Sequence, residues 1–118
     1  MSTLNVSNIT DGTDTVGTSY VLNGAAKAWA TVNSSGTASI RDSFNVASIT
    51  DIGVGQISAN LSSAMVDTNQ AASGSTADQY PYTYYLSTSS ALRITAVSSS
   101  LSFTDFTKAH GQTFGDLA

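Results

Sequence analysis

All eight acidic residues of this chain are aspartate and none is glutamate, while serine and threonine fill just under a third of its 118 positions. Short polar side chains of this kind hydrogen-bond to nearby backbone and suit turns and strands better than helix interiors. The bias predicts an all-β fold in which helix is minor or absent.

The second constraint is a thin core. Alanine inflates the 41% hydrophobic fraction, and Val, Ile, Leu and Phe together number only 25. That is just above the roughly 20% below which strongly charged chains stay disordered. Here the net charge is only −4, so a folded, core-poor domain is expected. The length suits one domain, and oligomerisation is a common remedy for a core this small.

Composition also excludes partners. Lys27, Arg41, Arg93 and Lys108 are the only basic residues, too few for a phosphate-binding patch, so no nucleic-acid partner is expected. Without cysteine there are no disulfides and no thiolate metal ligands. No apolar run approaches the roughly 18 residues of a spanning helix, so no membrane partner is expected. Met1-Ser2-Thr3-Leu4-Asn5 lacks the basic and apolar regions of a signal peptide. The N-x-S/T triplets at Asn5, Asn8, Asn33 and Asn60 are read as chance in an Asn-, Ser- and Thr-rich chain.

Residues 1–24 read as an extended N-terminal arm. Turn residues there alternate with single apolar anchors, Leu4, Val6, Ile9, Val16, Tyr20 and Leu22, which suit docking on a partner. Asn23-Gly24 closes the arm, and a β domain is expected over 25–118. From Ala26 to Asn33, Ala28, Ala30 and Val32 alternate with Lys27, Trp29 and Thr31, as a half-buried strand requires. After the turn Asn33-Ser34-Ser35-Gly36, Thr37–Asn45 completes a hairpin with Ala38, Ile40 and Phe44 inward; Asp42 is the exception on that side. A second hairpin pairs Val46–Thr50 with Gln56–Leu61, with Ile57, Ala59 and Leu61 inward. Thr68–Asp78 shows no periodicity and is expected to be a surface loop. Gln79–Thr88 is a tyrosine-rich strand that Pro81 places at a sheet edge. Ala91–Val97 is a clear strand, Leu101–Thr107 is expected to be another, and the chain beyond Lys108 reads as a tail. Short strands at this spacing indicate an antiparallel sandwich or a jelly-roll-like domain.

The candidates for chemistry are few. His110, the sole histidine, lies between Asp105 and Asp116, but no spacing marks out a triad or a carboxylate pair, and no enzymatic activity is expected. Asp11-Gly12-Thr13-Asp14 offers two carboxylates to Ca²⁺ yet lacks the rest of a calcium loop. An Asp-Gly turn explains it, so no metal or cofactor is expected. Asp14, Asp105, His110 and Asp116 are therefore expected to be dispensable for folding. Tyr80, Tyr82, Tyr84 and Tyr85, with Trp29, suit a subunit or ligand interface, and internal packing is the alternative for the tyrosines.

Residues 10–67 resemble a segment recurrent in bacteriophage virion proteins. The most specific matches are Ala26-Lys27-Ala28-Trp29, Ile40-Arg41 and Ser43-Phe44-Asn45-Val46; Ala30-Thr31-Val32 departs from that pattern. The resemblance implies a β-rich virion component, a homotrimer bound to other virion proteins such as a major capsid or tail protein. No coiled-coil, collagen-like or repeat segment is present to build a long shaft. A capsid-surface decoration or cement protein, or a short head fibre, is therefore expected, docked through the arm. A small tail-fibre or receptor-binding protein comes second, and a carbohydrate-binding module recognising a host-surface glycan third.

Overall fold

The period-two alternation is realised as two antiparallel four-stranded sheets packed face to face. The computed structural model describes residues 2–78, 80 and 82–118, with the side chains of 82–87 excepted. In chain order the elements are β1 (Asn8–Thr10), β2 (Thr15–Gly17), α1 (Thr18–Gly24), β3 (Ala28–Asn33), β4 (Ser39–Phe44) and β5 (Val46–Gly53). β6 (Gln56–Leu61), β7 (Ala71–Thr76), β8 (Tyr82–Thr88), β9 (Ala91–Val97) and β10 (Ala109–Phe114) follow. One sheet has the order β4-β3-β10-β7 and the other β5-β6-β9-β8, while β1 and β2 form a separate hairpin. The fold is an all-β antiparallel sandwich.

The two sheets contribute unequally to the core. The first brings small residues, Ala30, Val32 and Ala109, and the second brings Ile57, Leu92 and Ile94 with Ala59 and Ala96. Small side chains facing large ones let the sheets approach closely at high packing density. Phe106 fills what remains, fully buried although it lies in no strand.

Several local expectations are corrected. Thr68–Asp78 is not one surface loop, because Ala71–Thr76 forms β7 on β10 with an unbroken register from Ala71↔Phe114 to Thr76↔Ala109. Its side chains are too small to show a hydrophobic period, so backbone pairing with β10 places it. The segment after Lys108 is no tail: β10 lies between β3 and β7, and its Gly111 is buried. Residues 101–107 do not form a strand. Leu101 sits at φ 64, and one bridge, Val97↔Phe103, holds the segment before it turns inward to seat Phe106.

Ile40 and Phe44 are not core residues: both are exposed, and Phe44 is 55% so. A bulge explains the strand. Thr31 pairs with Asp42 but Val32 with Ile40, leaving Arg41 as the extra residue. Phe44 and Asp42 therefore share the outer face with Trp29 and Thr31, which accounts for the acidic residue that strict alternation placed inside.

Candidate functional site

The arm departs from a single extended strand. Val6 and Ser7 are tied to Thr18, whose hydroxyl donates to the Val6 and Ser7 carbonyls at 3.1 Å each and whose N–H reaches Ser7 O at 2.9 Å. Between these ends the chain makes the β1–β2 hairpin, with Ile9 opposite Val16. Its turn explains the Asp-Gly-Thr-Asp motif. Asp11 Oδ1 accepts the N–H groups of Thr13 and Asp14 at 3.0 and 2.9 Å, and Gly12 takes the left-handed φ of 100°. Those N–H groups, Asp14 first, hold the Asp11 carboxyl below the ordinary carboxylate value. Among the described residues no three His, Asp or Glu side chains gather as a metal site.

Every apolar anchor of the arm is exposed. Leu4 is 84%, Tyr20 76% and Leu22 64% accessible, and Val6, Ile9 and Val16 also remain open. Leu4, Val6, Ile9, Val21 and Leu22 line a groove of about 420 Å³ within the arm. Helix α1 contains no buried residue. At its root the Lys27 ammonium donates to the carbonyls of Leu22 and Ala25, while Lys27 N–H bonds to Thr113 O at 2.9 Å. Lys27 thus fastens the arm to the sandwich.

The molecular dimensions reflect this projection. The radius of gyration is 16.5 Å and the extents are 51 × 29 × 24 Å, whereas a compact chain of this length has a radius of roughly 13 to 14 Å. The accessible surface is 7057 Å², about 1,000 Å² more than a folded monomer of this mass exposes.

A second surface lies on the outer face of β4-β3-β10-β7. Trp29 pairs with Phe44 on one side and Gln112 on the other, and Thr31 pairs with Asp42 and His110. Trp29 is half-buried there. Tyr80 packs against the core and is half-buried, while the side chains of Tyr82, Tyr84 and Tyr85 lie outside the described residues. The backbone of β8 does take the edge position expected of it.

The remaining candidates for chemistry are scattered. Asp14 sits in the arm turn, His110 in β10 beside Thr31 and Ser75, and Asp116 beyond the end of β10. Asp105 is structural, against the expectation that it is dispensable. Its Oδ1 accepts the buried Gly55 N–H at 2.7 Å and the Ser34 hydroxyl at 3.2 Å, and Ser34 Oγ in turn accepts Phe106 N–H at 3.0 Å.

Sequence reasoning also missed three fastenings. Asp78 accepts the Thr107 N–H and hydroxyl at 2.7 and 3.0 Å, and Arg41 donates twice to Thr107 O at 2.7 and 3.0 Å. The Thr107 N–H first, with its hydroxyl and the Arg41 charge assisting, lowers the Asp78 carboxyl below its ordinary value. Asn45 alone separates β4 from β5 and carries the chain between sheets at φ 57. Lys27, Arg41 and Asn45 thus hold the arm root, the bulge and the corner between the sheets. Compared with known proteins, the chain matches no family model, no curated protein and no solved structure.

Proposed function

We propose that this chain is a bacteriophage virion structural protein, a trimeric capsid-surface decoration or cement protein or short head fibre, docked through its N-terminal arm onto another virion protein. The observation that carries this reading is the arm itself. Its six apolar anchors are exposed and cover none of the sandwich core, and the surface excess of about 1,000 Å² is the order of area one partner buries in a stable interface. The resemblance of residues 10–67 to phage virion proteins supplies the class of partner.

The test is incorporation. Tyr20→Ser with Leu22→Ser removes two anchors that touch no core residue, so the isolated protein keeps its circular dichroism and its mass. Particles assembled with it should lose the protein; normal occupancy would overturn docking through the arm. Sedimentation of the wild type at micromolar concentration should report three copies of the 12.1 kDa chain, or a multiple of three. A stable monomer or dimer would sink the trimer.

A second reading, glycan recognition at a host surface, is favoured by the outer face alone. Phe44 stands open across from Trp29, with Gln112 and Asp42 alongside as hydrogen-bonding groups. Neutral oligosaccharides that bind the wild type but not Phe44→Ala would support it, and no binding to any would remove it.

A further inference from the structure

The sheet edges of the sandwich differ in what protects them, and the edge strand β8, itself without charge or bulge, begins directly after Pro81. Edge strands present unpaired N–H and C=O groups, and natural proteins blunt them with charges, bulges or proline. The β4 edge has the Arg41 bulge and charges at Arg41 and Asp42. The β5 edge has two register shifts and Asp51. β7 has none of these: Ala71-Ala72-Ser73-Gly74-Ser75-Thr76 contains no charge, no proline and no bulge, and keeps its register on β10 throughout.

Which backbone groups face outward follows from one bond. Ala77 N–H bonds to Lys108 O at 2.9 Å, which makes Ala77↔Lys108 a hydrogen-bonded pair in the β7–β10 register. Antiparallel ladders alternate, so Ser75, Ser73 and Ala71 also bond toward β10. The N–H and C=O groups of Ala72, Gly74 and Thr76 therefore point away from it, and among the described residues no strand lies beyond β7.

We infer that β7 is a self-pairing edge that joins two copies of this chain by antiparallel strand addition about a two-fold axis at Gly74. The parity of the outward groups selects this register. Only outward residues can exchange bonds with outward residues. Centring on Gly74 pairs Ala72 with Thr76 of the other copy, Gly74 with Gly74, and Thr76 with Ala72, giving about six hydrogen bonds. Shifting the centre in either direction leaves fewer such pairs within the strand. No like charges meet across this edge, because β7 carries no charge. The two-fold contact uses neither the arm nor its anchors, so it stands independently of the docking proposed above and can link trimers.

The register makes a charge test possible. Ser73 and Ser75 are exposed on the outer face, and in this pairing Ser73 of one copy stands opposite Ser75 of the other. S73K/S75K places lysines opposite lysines and should weaken the pairing roughly tenfold or more. Sedimentation at about 100 µM should then report half the wild-type mass. S73K/S75D, which shares the first substitution and the loss of the Gln112–Ser73 hydrogen bond, places lysine opposite aspartate and should keep the wild-type mass. Equal masses for the wild type and S73K/S75K would overturn the proposal, and so would S73K/S75D behaving like S73K/S75K. Amide exchange offers a second readout on the unaltered chain. Exchange at Ala72, Gly74 and Thr76 should slow as concentration rises, and rates independent of concentration would refute the pairing. Loss of virion incorporation in the arm variant with the β7 contact intact separates the two proposals.

Discussion

The Asn45 side-chain amide donates to Lys27 O at 3.1 Å, joining the corner between the two sheets to the root of the arm. The same amide reaches Ser63 O at 3.0 Å, and its Oδ1 accepts Ser63 N–H at 2.7 Å. One residue at a left-handed φ thus ties together the arm root just before β3, the β4–β5 corner and the segment after β6.

Replacing it separates two effects. Asn45→Gly keeps the left-handed backbone and loses the side-chain bonds, so it should cost about 1 to 2 kcal/mol. Asn45→Ala adds the steric penalty of that φ and should cost about 1 kcal/mol more. Denaturant midpoints for the two variants measure the difference; equal midpoints would show that backbone strain contributes nothing.

The Gly55 turn should tolerate no side chain. Gly55 is at φ 64, and a Cβ built there would lie 2.3 Å from Thr104 O. Gly55→Ala must push the 102–105 segment away and disturb Phe106, and a loss of about 2 to 4 kcal/mol is expected. Asp105→Ala, which leaves the buried Gly55 N–H without its acceptor, should cost about 1 to 3 kcal/mol. Thermal melts of both check this. An Asp105→Ala melt matching wild type would return Asp105 to the dispensable group.

Acid should loosen the 77–78 and 107–108 clasp. The folded Asp78 carboxyl lies below its ordinary value of 3.8 because Thr107 donates to its charged form. A lowered folded value means that the contribution is fully present above the unfolded pKa and is lost as pH falls through the folded one. Stability should therefore decline below about pH 4, and Asp78→Asn should show a shallower decline in that window. Identical slopes for the two proteins between pH 2 and about pH 5 would remove Asp78 from the account.

Thr95 offers a stabilising substitution. Its hydroxyl is buried with no hydrogen-bond partner among the described residues. Valine has nearly the same shape without the unsatisfied group, so Thr95→Val should raise stability by about 1 kcal/mol. A lower melting temperature for the variant would show that the hydroxyl is satisfied in solution.

Alternation alone located β3, β6 and β9, because their apolar residues recur every second position and strand side chains alternate between faces. Turn residues added to that alternation placed the β3–β4 and β5–β6 hairpins, and Pro81 placed β8 at an edge. Residues 68–78 and 109–114 gave no such signal. Ala, Gly, Ser and Thr can line either face of a sheet, and what fixes β7 and β10 is hydrogen bonding to strands far away in the chain. The Arg41 bulge was equally hidden, since one extra residue reverses the face of everything beyond it and only pairing with β3 reveals where it falls. Phe106 became core through a distant clasp, with Asp105 accepting from both Ser34 and Gly55 and Ser34 accepting from Phe106 N–H. The arm divides in the same way: its apolar anchors were legible as isolated residues among turns, while the hairpin and helix that display them depend on Thr18 bonding back to Val6 and Ser7. Local pattern determined which segments could be half-buried strands. Long-range backbone pairing decided which polar, small-residue segments joined them, because a hydrogen-bond ladder needs partners and no particular side chain.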